Sequence, residues 1–179
     1  MKKKRNTNIV RMIYSSMLLA LAILLPFLTS QIPHIGKMLA PMHIPVILCG
    51  FVCGKGWGLA VGACAPILRS LMFGSPIMMP NAVGMAFELA VYGFVAGAMY
   101  KALPKNIFYH YLTLITSMLA GRAVWGIVRF LLAGLQNTEF TFSAFLAGAF
   151  TQAFPGLILQ LILSPPIICA LRKNRRMLN

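Results

Sequence analysis

Acidic residues are almost missing from this chain of 179 residues: Glu88 and Glu139 are the two carboxylates, against sixteen lysines and arginines. Only Glu88 falls in an apolar segment, which excludes a pair of carboxylates for acid–base work inside a membrane. Other catalytic signatures are missing too. There is no His-Glu-x-x-His motif, no glycine-rich phosphate loop ending in Lys and Ser or Thr, and no Ser-His-Asp set. These gaps point away from an enzyme and call for no cofactor. Cysteine is also scarce. Cys49, Cys53, Cys64 and Cys169 lie within apolar segments and show no ligand spacing with the histidines, so they suit packing rather than a metal or disulfide framework.

Charge of either sign is thin at 10%, whereas 59% of the residues are hydrophobic and arrive in long blocks. A soluble domain of this length needs a charged, solvated surface that these residues cannot supply. The composition is that of an integral membrane protein. The net charge of +14 does not indicate nucleic-acid binding, because the positive residues flank apolar runs instead of alternating with aromatics in a polar groove. The basic and apolar start resembles a signal peptide, but no small-residue cleavage pattern follows. It reads as a retained first helix.

A helix needs roughly 20 residues to cross a hydrocarbon core about 30 Å thick. On that scale the chain reads as one all-α domain of six transmembrane helices, near 9–29, 42–54, 56–74, 82–101, 107–134 and 143–170. The second is short and is punctuated by Pro41, Pro45, Gly50 and Gly54, which leaves a reading with four or five spans open. Six crossings put both termini on one side together with Lys2, Lys3, Lys4, Arg5, Arg11, Lys55, Lys101, Lys105, Arg172, Lys173, Arg175 and Arg176. The opposite loops keep Lys37 alone, so the basic side is expected to be cytoplasmic. The outer connections, near 30–41, 75–81 and 135–142, carry more proline and polar residues than the inner turns, which suits lids over a site that opens outward. Small residues four apart, Ser16 and Ala20, Gly50 and Gly54, Gly58 and Gly62, Gly93 and Gly97, allow close helix approach.

Four charged residues remain inside the spans: Arg69, Glu88, Arg122 and Arg129. Each costs about 2.5–3.5 kcal/mol at a helix centre, so each is expected to face the bundle interior and find a partner. Counted from the helix ends, Arg69, Glu88 and Arg129 fall within roughly 10 Å of the outer surface. Arg122 is deeper on the stripe of Arg129, with Trp125 between them. Asn81 and Gln152 add neutral donors and acceptors at the outer depth, and His43 is a further ligand contact. Three bases around one acid predict a pocket for an anion, since arginine grips carboxylate and phosphate in a two-point geometry. The competing expectation is a structural bridge from Glu88 to one arginine, the other arginines reaching up to the interface. His110 is read as interfacial.

The stretches "LAPMHIPVILCGFVCGKGWGLAVGACAPILRSLMFG", "MPNAVGMAFELAVYGFVAGAMY" and "GRAVWG" resemble the substrate-binding S components of energy-coupling factor (ECF) transporters. The resemblance implies a membrane protein that captures a water-soluble vitamin or precursor, with pantothenate suiting the charge. It further implies partners: a membrane scaffold T component and two cytoplasmic ATPase subunits that power uptake across a bacterial plasma membrane. The family docks on its scaffold through an Ala-xxx-Ala face of the first helix, which corresponds here to Ser16 and Ala20, with serine in place of the first alanine. Its substrate gate is built from the first, third and fifth loops. Two rival readings are a membrane enzyme acting on a lipid phosphate and an autonomous secondary carrier.

Overall fold

The computed structural model describes residues 7–30, 41–135, 141, 145, 147–148, 154–173 and 177–179. Among them are six α-helices and no strand. These are α1 (Thr7–Ser30), α2 (His43–Cys53), α3 (Lys55–Phe73), α4 (Val83–Ala102), α5 (Ile107–Leu135) and α6 (Phe154–Lys173). An irregular helical turn, Met78–Ala82, leads into α4 and contains the non-helical Met79.

Five of the helices are long and apolar enough to cross a bilayer, with Met78–Ala102 counted as one segment. The expectation of six spanning helices is corrected at α2. Its eleven residues rise only about 16 Å, roughly half of a hydrocarbon core. All eleven are buried, and the helix carries no charged residue and is apolar on nearly every side, as befits a helix enclosed by others. It is a core peg with α1, α3, α4 and α6 packed around it.

Glycine sets how closely these helices meet. A Cβ at Gly62 of α3 would lie 2.2 Å from Leu89 O of α4, and one at Gly50 of α2 would lie 2.4 Å from Gly93 O. Backbone therefore touches backbone across α2, α3 and α4, which recovers dispersion contacts that larger side chains would hold apart. Ser16 and Ala20 behave differently. They sit on the exposed face of α1 beside Met12, Ile13, Met17, Leu21 and Leu24, and Ser16 Oγ donates to Met12 O at 2.9 Å.

Gly54 reverses the chain between α2 and α3 with φ 99°, a left-handed value that favours glycine. This turn lies at one end of the bundle together with Arg11, Gly97 and the segment Met177–Asn179. Arg172 donates to Lys105 O, and Lys105 Nζ lies 3.7 Å from the centre of the Tyr100 ring. Burial, with Arg172 as a second cause, holds the Lys105 ammonium below the usual lysine range. Basic residues from both chain ends thus gather at this end, referred to below as the basic end. His110, in the first turn of α5, is buried against Phe51 and Tyr100.

Candidate functional site

The deepest charged group is Glu88, 1% exposed on α4. Glu88 lies nine residues from Gly97 and His43 lies nine residues from Val52, so each stands about 14 Å above the basic-end junction. The half-length of α2 is what positions the histidine: the helix begins at the level of the carboxylate. His43 Nε2 lies 3.5 Å from Glu88 Oε1, and Arg122 Nη1 of α5 lies 3.1 Å from the same oxygen. Tyr92, one turn further along α4, stacks edge-on against His43 and is fully buried.

This cluster differs from the expected one. Depth counting placed Arg69 and Arg129 beside Glu88, whereas its ion-pair partners among the described residues are Arg122 and His43. The turn Met78–Ala82 extends the α4 segment upstream, which lowers Glu88 towards mid-bundle. The contact of Gly62 with Leu89 aligns α3 and α4 there, so Arg69, seven residues beyond Gly62, stands about 10 Å further out. Arg69 clamps α1 to α3: its Nη1 donates to Ile23 O at 2.6 Å, and its guanidinium lies 4.7 Å from the Phe27 ring centre. Arg129 occupies a second, outer layer. It donates to Asn81 Oδ1 at 2.9 Å and lies 5.8 Å from the Trp125 ring centre, while Gly84 leaves room for both side chains. Gln152 and the outer connections 31–40 and 136–140 lie outside the described residues.

Electrostatically the lower layer is a carboxylate shared between a guanidinium and an imidazole, in surroundings where an unpaired charge is costly. Its polar capacity is not used up. Glu88 Oε1 receives no aligned hydrogen bond despite the short ion-pair distance, and Arg122 Nε finds no acceptor among the described residues, while the Tyr92 side chain lies within reach of both Arg122 and Glu88. Such a set can neutralise itself and still offer both donors and acceptors to a bound molecule. Trp125, stacked 6.3 Å from Phe145, walls the outer layer with an apolar surface.

Sequence reasoning missed Tyr92. The signal was available, since Tyr92 follows Glu88 by four residues and shares its helix face. Gln160 and Ser164 of α6 were also not anticipated; both are fully buried, and their side chains lack partners among the described residues. An apolar recess of about 510 Å³ lies elsewhere on α5, lined by Ala123, Gly126, Ile127, Phe130, Leu131, Thr141 and Phe145. None of the lower-layer residues lines it. Among the described residues, no group of three or more His, Cys, Asp or Glu is placed to hold a metal ion.

The sequence matches the family described as "ECF transporter, substrate-specific component" over residues 10–168. The chain belongs to this family. It is therefore a membrane protein of transport, and the apolar helices of the S-component bundle are those described above. No curated protein and no solved structure gave a match. Members of the family are the substrate-specific components of a transporter.

Proposed function

We propose that this chain captures a small water-soluble vitamin or precursor at the Glu88–Arg122–His43 cluster and delivers it to a separate energising module. The observation that carries the reading is a charged, hydrogen-bonding cluster of Glu88, Arg122, His43 and Tyr92 buried inside an apolar bundle, in which Arg122 Nε has no acceptor among the described residues. A buried donor without an acceptor is costly, and a polar solute that accepts from Arg122 Nε gains the corresponding free energy. Arg122 and Arg129 offer guanidinium groups along one helix to a carboxylate, and Trp125 offers a face to an apolar portion. A pantothenate-like anion with several hydrogen-bonding groups fits this chemistry.

In this reading the basic end faces the cytoplasm of a bacterial cell, with both termini inside, as the positive-inside rule requires. Solute enters from the opposite end past Arg129 and Asn81. The partners are a scaffold T component, docked on the exposed Ser16–Ala20 face of α1, and two ATPase subunits that supply the energy. The deciding experiment is mass spectrometry of small molecules that co-purify with the protein, followed by uptake of the identified solute in vesicles. A carboxylated solute whose uptake requires added scaffold and ATPases is the expected result. Turnover of a lipid phosphate, or uptake by the chain alone, would refute the proposal.

A further inference from the structure

The segment Met177–Asn179 lies across the basic end and touches three helices. Leu178 N donates to Val52 O, in the last turn of α2, at 2.9 Å, and Arg11 of α1 donates to Leu178 O. Asn179 Nδ2 donates to Gly97 O of α4 at 2.9 Å and to Gly50 O of α2 at 3.4 Å. The amide fits a notch that glycines make possible. A Cβ at Gly54 would lie 3.1 Å from Asn179 Oδ1, and one at Gly97 would lie 2.4 Å from Lys55 N. Leu178 N supplies a donor to Val52 O in the last turn of α2, where helix carbonyls lack an onward N–H, and Asn179 adds a second donor at Gly50 O, which also accepts from Gly54 N at 3.1 Å.

We infer that Met177–Asn179 is a clasp that holds α1 against the α2–α4 layer, and that its release loosens this end of the bundle as one unit. The clasp ties the helix with the exposed Ser16–Ala20 face to the two helices that carry His43 and Glu88. Whatever displaces it acts on all three together. The inference needs neither a solute nor a scaffold, so it stands apart from the proposed function.

Two buried thiols make clasp opening measurable. Cys49 and Cys53 are 0% and 1% exposed on α2, and Cys49 Sγ lies 3.6 Å from Ser15 Oγ of α1. In a Cys64→Ser/Cys169→Ser background in detergent, their alkylation by N-ethylmaleimide reports separation of α1 from α2. Asn179→Ala removes two hydrogen bonds and should raise the alkylation rate by about tenfold. Arg11→Gln should act in the same direction, and deletion of Leu178 and Asn179 should act more strongly. Faster alkylation with unchanged helical circular dichroism supports the clasp. An unchanged rate in Asn179→Ala, or faster alkylation that comes only with loss of helix, overturns it. If the deletion does not fold, the two point variants decide.

Discussion

Arg122 Nη1 of α5 lies 3.1 Å from Glu88 Oε1 of α4, and both residues are buried at mid-bundle. Removing Glu88 takes the ion-pair partner from Arg122, and removing Arg122 leaves Glu88 with His43 alone at 3.5 Å. Loss of one partner of a buried pair costs about 3–5 kcal/mol. Glu88→Gln and Arg122→Met should each lower the unfolding temperature in detergent, and the double variant should lose less than the sum of the two. Additive losses would show that the two residues do not stabilise one another.

Arg122 in the cluster and Arg69 between α1 and α3 predict different effects on solute. Arg122→Met combined with Glu88→Gln should abolish the co-purifying small molecule, whereas Arg69→Met should leave it in place. Arg69→Met should instead loosen α1 from α3 by about 1–2 kcal/mol, through loss of a charged hydrogen bond and a cation–π contact. Mass spectrometry of the bound fraction, beside a thermal melt, separates these outcomes. Loss of the small molecule in Arg69→Met would place that arginine in the site after all.

Helix contact through glycine is tested by adding one methyl group. Gly62→Ala would force a Cβ against Leu89 O, an overpacking that costs about 1–3 kcal/mol or more. Gly56→Ala meets nothing within 4 Å and should be close to neutral. Equal melting temperatures for the two variants would rule out the close α3–α4 approach.

The exposed α1 face gives a separate prediction about assembly. Ser16→Leu adds bulk where nothing in the bundle opposes it, so folding and retention of solute should be preserved. Co-purification with a scaffold component should fail. Normal assembly would move the docking surface off Ser16 and Ala20.

Much of the fold was legible because the bilayer imposes length and hydropathy directly on sequence. The five long helices α1, α3, α4, α5 and α6 can be found from apolar runs, and the clustering of lysine and arginine follows from charge placement alone. The site was legible in part. An isolated carboxylate in "GMAFELAVYG" must find a partner, and Arg122 and His43 were both singled out from residue type and position. Depth counting failed to choose among the arginines because it assumed straight helices of standard length starting at a common level.

The sequence by itself determined the solvent, the helical class, the shortage of catalytic groups and the need for Glu88 to be neutralised. Tertiary structure alone decided which base does so. A half-length α2 brings His43 to the level of Glu88, glycine contacts fix the height of α4 against α3, and those two registers hand the carboxylate to Arg122 while Arg69 is left to α1. Register between helices depends on contacts far apart in the chain, and no local pattern encodes it.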